Sequence, residues 1–291
     1  MINPIEVLPI ILGQALATQT LERIPECNTG SAVMDESESV LQYNDAMQSK
    51  LAIVYAGALE RIHRIRRRTT GGRAIDLCCG PGHFTLLLAK YFDYEEIIGV
   101  DLSAPMVAAA NQNARDWGLA DRVRFEVADA TNYDAESDSF DLVTCNDAAH
   151  HLPTLGVVGQ LAAEMDRLAD PQGLVQLSDL VRLKSRSITS RYTQMIGQDY
   201  LDRGLTRFQD DFCNSMQAAW TSEELKTVVP IKSQKRWEHH PQKLLPTVQF
   251  LTGYPNDGGQ IYLRKGLPWT TETHPVSKSF QIDWQLFRRL I

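Results

Sequence analysis

The chain has 291 residues, of which 43% are hydrophobic and 22% charged, a composition typical of a globular protein that buries a full core. A formal net charge of −7 argues against a nucleic-acid partner, which favours a broad positive surface, and favours a small-molecule or peptide substrate. The five cysteines include no C-x-x-C pair, so we expect neither a disulfide framework nor a structural zinc site, and a reducing cytoplasm fits this usage.

Residues 1–70 are predicted to form a helical segment that caps the site of the domain that follows. The apolar run at residues 7–12 is short, contains a proline and lacks a basic leader, which predicts a packing segment, neither a signal peptide nor a membrane span. Over 36–68, apolar side chains recur at three- and four-residue spacing and predict one long helix, which ends in an arginine-rich stretch before Gly71 and Gly72.

The next region, residues 71–267, has the pattern of an α/β domain. Short apolar runs alternate with stretches of helical periodicity, which indicates repeated βαβ units and a parallel sheet. Five parallel strands are predicted at 73–77, 96–101, 122–128, 139–145 and 173–179. Helices between them are predicted at 83–92, 104–117 and 155–168.

A change of pattern after the fifth strand predicts a helical insertion over 183–220, which would cover the substrate pocket at the carboxyl edge of the sheet. A capping box at 221–224 predicts a further helix, and later apolar runs around a turn at 256–259 supply further strands. Residues 268–291 are predicted to be a C-terminal extension. The terminal extensions are suited to wrap a second copy of the chain, so a homodimer is a candidate assembly.

A glycine-bearing turn, DLCCGPG at residues 76–82, follows the first predicted strand. Open parallel sheets bind ligands at this edge, and Gly80 and Gly82 would let the backbone approach a ligand closely. Nineteen residues after Gly82, Asp101 ends the second strand, where a carboxylate is expected to accept hydrogen bonds from ribose hydroxyls. The two features together predict a cofactor that contains a nucleoside.

The residues around this turn favour one nucleoside cofactor over another. A dinucleotide fingerprint requires a third glycine, and this chain has Thr85 at that position. Asp76 before the glycines and Asp129 after the third strand suit a cationic amino acid joined to adenosine, with Asp76 near the ammonium and Asp129 near the adenine amine. These positions favour S-adenosyl-L-methionine.

Five runs in a fixed order make residues 40–180 resemble the class I, Rossmann-like family of S-adenosylmethionine-dependent methyltransferases: DLCCGPG, IIGVDLS, VADATNY, FDLVTCNDAAHHL and LADPQGLVQLSD. The resemblance implies a doubly wound, mostly parallel seven-stranded α/β sheet. It implies methyl transfer to a small-molecule, natural-product or peptide acceptor. It also implies cofactor contacts from Asp101 at the ribose, Leu102 and Met106 beside the adenine, Asp129 and Ala130 at the adenine amine, the Asn146 backbone at the methionine ammonium, and Tyr43 over the cofactor.

The family pattern is broken at Cys78, where the family usually has glycine. A Cβ atom is added beside the ligand, so we expect the turn to keep a negative φ there or to shift slightly. This departure leaves room for a binding protein that has lost catalytic activity.

Histidines after the fourth predicted strand are the candidate catalytic residues. His150 and His151 lie at the edge where the methyl group would be, and a histidine near neutral pKa suits removal of a proton from an oxygen or nitrogen acceptor. Since adjacent side chains point in different directions, at most one is expected to face the acceptor. Asp179, Arg182 and Tyr192 are the candidate substrate-binding residues. No metal site is predicted, because standard ligand spacing is missing.

Two alternative functions stay open on the sequence. One is a protein that binds S-adenosylmethionine without methyl transfer, either an isomerase or pericyclase that uses the sulfonium charge or a regulatory binding protein. The other is a nicotinamide-dependent oxidoreductase, which Thr85 and Asp129 disfavour.

Overall fold

The computed structural model describes residues 4–18, 20–26, 37–47, 52–66, 71–241 and 247–256. Its strands are β1 Arg73–Leu77, β2 Glu96–Asp101, β3 Val123–Val127, β4 Phe140–Asn146, β5 Ala169–Leu180, β6 Lys235–Pro241 and β7 Val248–Pro255. They form one sheet of seven strands in the order β3-β2-β1-β4-β5-β7-β6. The predicted doubly wound, mostly parallel sheet is therefore confirmed.

Strand order reverses between β1 and β4, which pair directly and in parallel. To one side lie β2 and β3 and to the other lies β5, all parallel to their neighbours, whereas β7 is antiparallel to both β5 and β6. The carboxyl ends of β1 and β4 thus flank the crevice at which doubly wound sheets bind ligands.

The helices between the parallel strands are α4 His83–Tyr91, α5 Ala104–Asp116 and α6 Leu155–Leu168. The predicted bounds of these helices and of the first four strands agree with the structure to within one residue at each end. The exception is β5, which begins at Ala169, four residues before the predicted start. Ala169 pairs with Phe140 and Leu174 pairs with Leu142, so residues 170–173, which have turn composition, lie in a register irregularity between these two pairs.

The amino-terminal part contains α1 Pro4–Leu16, α2 Ser37–Met47 and α3 Ala52–Ile65. One helix over 36–68 was expected, and the structure instead describes two in this stretch. The residues between them, 48–51, and the end of the predicted arginine-rich stretch, 67–70, lie outside the described residues. The helical periodicity is correct over the described residues on each side.

Two helices, α7 Arg186–Asp202 and α8 Thr206–Ala218, follow β5. They pack through an aromatic cluster in which the Tyr200 ring meets the rings of Phe208 and Phe212 edge-on at 4.8 and 6.1 Å. The predicted capping box is present at Thr221, which opens α9 Ser222–Lys226. The predicted turn at 256–259, apart from its first residue, and the extension at 268–291 lie outside the described residues.

The sheet is covered on both faces. Leu59, Phe84 and Leu88 pack on one face and Val158, Leu161 and Met165 on the other, all of them buried. Such two-sided burial explains why the parallel strands are continuous apolar runs in the sequence. Among the helices in the described ranges, none has the length and apolar character needed to cross a bilayer.

Candidate functional site

A cavity of about 160 Å³ lies at the carboxyl ends of β1 to β4. Nine of the residues singled out from the sequence line it: Tyr43, Cys78, Gly80, Asp101, Leu102, Met106, Asp129, Ala130 and His151. The other lining residues are Ser103, Thr131, Asp147, Ala148 and Leu152. Five separate segments of the chain contribute these residues, so four of the five predicted runs meet in space.

The turn after β1 places Cys78 in the left-handed region, with φ +57. The expectation of a negative φ at this position is therefore wrong. Because Cβ then crowds the following carbonyl group, this conformation costs an L-residue about 1–2 kcal/mol. The available signal was the glycine that the family usually has at this position, because glycine favours the left-handed backbone that the turn keeps here.

Two glycines in the same turn have different surroundings. Gly80 has φ +53 and lines the cavity, and its amide nitrogen donates to Asp101 Oδ2 at 2.8 Å. Gly82 has φ +78, but a Cβ atom there would lie 2.6 Å from the Phe125 ring. Gly82 is thus required for packing of α4 on the sheet, and it is not among the residues that line the cavity.

Asp101 organises the cavity edge through its carboxylate. Oδ2 accepts the Gly80 amide and Oδ1 accepts the Ser103 amide at 2.9 Å, so both oxygens are oriented by the backbone. Burial raises the pKa of Asp101, and these two backbone hydrogen bonds oppose the shift. Each oxygen keeps a further lone pair that can accept a hydroxyl of a bound ribose.

The residues predicted to lie beside the adenine, Asp129, Met106 and Leu102, all line the cavity. Asp129 is exposed, and its Oδ1 accepts both the amide and the hydroxyl of Thr131, at 2.8 and 2.7 Å. Met106 is buried at 5% exposure, whereas Leu102 is 57% exposed. Both side chains line the cavity and offer apolar surface suited to a flat ring.

Asp76 and Asn146 lie behind the turn instead of in the cavity lining. Asp76 is fully buried and accepts the hydroxyls of Thr85 at 2.7 Å and Thr144 at 2.8 Å. Burial raises the pKa of Asp76 to about 7, and the hydrogen bonds from Thr85, Thr144 and Asn146 oppose that shift. The Asn146 side chain accepts the Ser178 hydroxyl at 2.6 Å. Both residues support the strands that carry the cavity.

The two histidines have different carboxylate partners. His150 is 3% exposed, and its Nδ1 lies 2.6 Å from Oδ1 of the fully buried Asp179. His151 lines the cavity, and its Nδ1 is hydrogen-bonded to Glu26. The two rings lie 4.1 Å apart. As expected from their adjacency, only one of them, His151, is a lining residue.

Glu26 joins His150 and His151 in a group whose side-chain donor atoms lie within 4.8 Å of one another. Glu26 is hydrogen-bonded to His151 Nδ1, His150 Nδ1 lies against Asp179, and the two rings are in contact, so the group is a hydrogen-bond network and none of its residues is assigned as a metal ligand. The sequence could not reveal the group, because Glu26 comes from a segment more than a hundred residues away in the chain.

Asp147 is a further lining residue that the sequence interpretation did not select. Its backbone has φ +50, and its Oδ1 is buried without a hydrogen-bond partner among the described residues. Burial and then the charge of Asp179 raise the pKa of Asp147 to about 7, while His150 opposes the shift. Asp147 belongs to the same sequence run as Asn146 and His150. Its acidic side chain directly after Asn146 was the signal that could have identified it as a site residue.

Arg182 and Tyr192 are not lining residues. Arg182 is buried and donates to the carbonyl groups of Leu21 and Ala219 and to both carboxylate oxygens of Glu224, at 2.9 to 3.0 Å. Its guanidinium therefore joins the residues after β5 to Leu21 and to α9. Among the hydrogen bonds of the described residues, it makes none to Asp179. The Tyr192 ring packs 5.9 Å from Phe212 in the aromatic cluster. Burial raises the pKa of Tyr192, and the charge of Asp147 adds to it.

Comparisons with known proteins give one family for this domain. A family model described as a methyltransferase domain matches residues 74–173. Ubiquinone biosynthesis O-methyltransferase of Methylococcus capsulatus is 33% identical over 144 residues, which cover 50% of this chain and 56% of that relative. The chain spans less than two thirds of the length of the first curated relatives that it matches.

Solved structures share the fold. A Methanococcus maripaludis protein, provisionally assigned as an S-adenosyl-L-methionine-dependent methyltransferase, gives a TM-score of 0.56 at 19% identity and covers 79% of this chain and 99% of its own. Phosphoethanolamine N-methyltransferase 2 of Haemonchus contortus, solved with phosphomonomethylethanolamine and S-adenosylhomocysteine, gives 0.51 at 18% identity and covers 75% and 57%. At these identities the likeness concerns the fold alone.

Proposed function

We propose that this chain, which belongs to the class I family of S-adenosylmethionine-dependent methyltransferases, transfers a methyl group to a small molecule that carries a proton on its acceptor atom. One observation carries the proposal. A single cavity has carboxylates suited to a nucleoside, Asp101 and Asp129, and also has His151 and the carboxylate of Asp147, whose Oδ1 has no hydrogen-bond partner among the described residues.

The lining residues fit S-adenosyl-L-methionine better than a dinucleotide. Asp101 has acceptor capacity for the two ribose hydroxyls, and Asp129 Oδ2 can accept the adenine amine. Neither lysine nor arginine occurs among the described residues that line the cavity, so nothing there would neutralise a pyrophosphate. At the position of the third glycine of a dinucleotide fingerprint, the Thr85 hydroxyl is bonded to Asp76.

Tyr43 and the turn residues define where the methionine part of the cofactor would lie. Tyr43 stands over the turn, since a Cβ atom at Gly80 would lie 3.9 Å from its ring. When bound, the cofactor supplies a methyl group already activated by a sulfonium. The protein therefore mainly aligns the acceptor and excludes water, and we assign that cover to α2, whose Tyr43 lines the cavity and meets Phe208 of the α7–α8 insertion at 5.6 Å.

The acceptor is proposed to be a hydroxyl or amine. The Asp147 carboxyl group, which lines the cavity, is proposed to bind it, and His151 can remove its proton as the methyl group is transferred. His150, bonded to Asp179, would support the neighbouring ring without contacting the acceptor. Because no cationic side chain other than histidine lines the described cavity, a phosphate-bearing acceptor is disfavoured.

The same proposal covers the cellular setting. The four cysteines in the described part of the chain carry free thiols, which supports a reducing cytoplasm. A role in natural-product metabolism and a homodimer remain part of the proposal, and their tests are substrate profiling and light scattering.

Formation of S-adenosylhomocysteine tests the function directly. The purified protein is incubated with S-adenosylmethionine and, in turn, catechol, hydroquinone, tyramine and phosphoethanolamine, and the products are quantified by mass spectrometry. We expect product from the phenols or tyramine, with phosphoethanolamine at the level of the acceptor-free reaction. Binding of S-adenosylhomocysteine together with turnover that forms none of it would instead favour a protein that uses the cofactor without methyl transfer.

A further inference from the structure

Residues 20–26, here called the strap, follow α1 and pack against α8 and the residues that follow β5. Ile24 donates its amide to the Gln217 carbonyl at 3.2 Å, and the Leu21 carbonyl accepts from Arg182 Nε at 2.9 Å. The strap is thus bonded both to α8 and to the residues that follow β5.

Arg23 binds the strap to the turn that carries the histidines. Its guanidinium donates to the carbonyl groups of His150 and Leu152, both at 2.9 Å, and these two residues flank His151. Further bonds go to the carbonyls of Pro153 at 3.0 Å and Ala218 at 2.6 Å. The same guanidinium lies 3.6 Å above the Trp220 ring. Four carbonyl groups and one aromatic face fix this side chain, so the strap is held in a fixed position relative to the turn that carries His150 and His151.

Glu26, at the end of the strap, uses both carboxylate oxygens. Oε2 is hydrogen-bonded to His151 Nδ1, and Oε1 accepts the Ser215 hydroxyl at 2.7 Å. A carboxylate on Nδ1 favours the form of the ring that carries its proton there, which leaves Nε2 with the lone pair needed by a base.

We infer that Glu26 is a positioning residue that holds His151 with Nδ1–H toward the strap and Nε2 toward the acceptor, so that the strap completes the active site. The inference rests on the proposed function, since it assigns a base for that methyl transfer. Methyl transfer to the acceptor atom forms the new bond to carbon and breaks the carbon–sulfur bond. The proton of the acceptor passes to Nε2, and Glu26 stabilises the resulting imidazolium.

The electrostatics around His151 agree with this role. Burial lowers the pKa of His151, but the charge and hydrogen bond of Glu26 outweigh it and the net pKa is raised. Burial raises the pKa of Glu26, and His151 more than reverses this effect, to about 2. The charged or titratable groups that act on His151 or lie against it are Glu26 from the strap, His150 from the same turn, Asp179 from β5, Asp101 from β2 and Asp211 from α8.

The test compares wild type with Glu26→Gln, Glu26→Asp and His151→Gln, using whichever of catechol, hydroquinone and tyramine reacts fastest. The quantity measured is the pH profile of kcat/KM, whose acidic limb is the fall in rate at low pH. We expect Glu26→Gln to lower kcat/KM and to move this limb toward lower pH by about one to three units, because His151 loses the neighbouring charge that raises its pKa. Glu26→Asp keeps that charge and is expected to restore the limb. His151→Gln is expected to remove the limb and about 10²–10⁴ of the rate.

Glu22→Gln is the matched control, because Glu22 is an exposed carboxylate on the same strap. We expect its profile to superimpose on that of wild type. In parallel, the His151 ring is titrated by NMR in wild type and Glu26→Gln, with the signal assigned by its loss in His151→Gln. The pKa measured this way should fall in Glu26→Gln by the same amount as the acidic limb.

An active Glu26→Gln enzyme with an unmoved acidic limb would overturn the inference, and a lower melting temperature alone would then mark Glu26 as structural. A limb that survives in His151→Gln but disappears in His150→Gln would also overturn it. Failure of wild type to methylate any acceptor is a different result, since it refutes the proposed function itself.

Discussion

At the scale of single residues, the turn after β1 contains the clearest strain in the site. Cys78 has a left-handed backbone with φ +57, where glycine has no Cβ penalty. We therefore expect Cys78→Gly to raise the free energy of unfolding by about 1 kcal/mol, measured by urea denaturation. Since Cys78 lines the cavity, calorimetry should also show equal or tighter binding of S-adenosylhomocysteine.

Asp138 provides the matched control, because it is exposed, has φ +59 and is not among the cavity residues. Asp138→Gly should stabilise the protein less, since aspartate tolerates this conformation better than cysteine, and should leave the affinity unchanged. Destabilisation by Cys78→Gly would show that the thiol contributes packing energy that exceeds the backbone strain.

Asp76 predicts a pH effect on stability. Its pKa is about 7 in the folded protein, against an ordinary value of 3.8, so between these values the folded state holds a proton that the unfolded state has lost. Stability is therefore expected to fall as pH rises from about 4 to about 7 and to level off above that. In Asp76→Asn this contribution is missing, so its unfolding free energy should rise relative to wild type across the same interval, by at most about 4 kcal/mol.

Denaturation at a series of pH values measures this difference. Asp129→Asn is the control, because Asp129 is exposed and we expect a constant offset from wild type. A constant offset for Asp76→Asn as well would mean that Asp76 is ionised throughout in the folded protein.

At the scale of elements, the central strands and helices could be predicted because each leaves a local pattern. The apolar run of β1 and the three- and four-residue spacing in α6 follow from burial of one strand or one helix face. The strap has no such pattern. Its position depends on Arg23 reaching carbonyls about 130 residues away, and Glu26 meets His151 only once the chain has folded. Long-range polar contacts of this kind have no sequence period.

Arg182 shows the same limit and provides a test. The sequence placed it in the substrate site, whereas it links β5 to the strap and to α9 through Leu21 and Glu224. Arg182→Met leaves the half-buried Glu224 carboxylate without this partner, and we expect it to lower the free energy of unfolding by about 2–4 kcal/mol. In the folded fraction, KM for the acceptor should stay within twofold of wild type.

Arg186→Met is the control, since Arg186 is exposed at the start of α7. Its stability should match that of wild type. If Arg182→Met instead raised KM for the acceptor tenfold at unchanged stability, the prediction that Arg182 contacts the substrate would be supported.

At the scale of the whole molecule, the sheet and the segments added to it, α2 and the strap, contribute different parts of the site. The switch point between β1 and β4 sets the place of the cavity, and the sequence predicts this because the glycine-bearing turn and Asp101 follow successive strands. The additions supply Tyr43 from α2 and Glu26 from the strap. The acceptor side therefore depends on packing between distant parts of the chain, which explains why most residues predicted to bind the cofactor line one cavity whereas Arg182 and Tyr192 do not.

The cavity predicts how the whole fold responds to ligands. A ligand that binds only the folded state at a hundred times its Kd stabilises that state by about 2.7 kcal/mol, which is about 5–10 °C in Tm for a chain of this size. We expect S-adenosylhomocysteine to produce such a shift in a thermal melt. NADH should produce none, because the described lining has no lysine or arginine for its pyrophosphate.

Asp101→Asn separates specific binding from general stabilisation. This substitution removes the charge that accepts the Gly80 and Ser103 amides and the proposed ribose hydroxyls, so affinity for S-adenosylhomocysteine should fall about ten- to hundredfold. The thermal shift should shrink accordingly at the same ligand concentration. Equal shifts in wild type and Asp101→Asn, or a shift with NADH, would place the nucleoside elsewhere and contradict the cofactor assignment. Loss of the shift in Asp101→Asn with an unchanged unliganded Tm would locate the ribose at the end of β2.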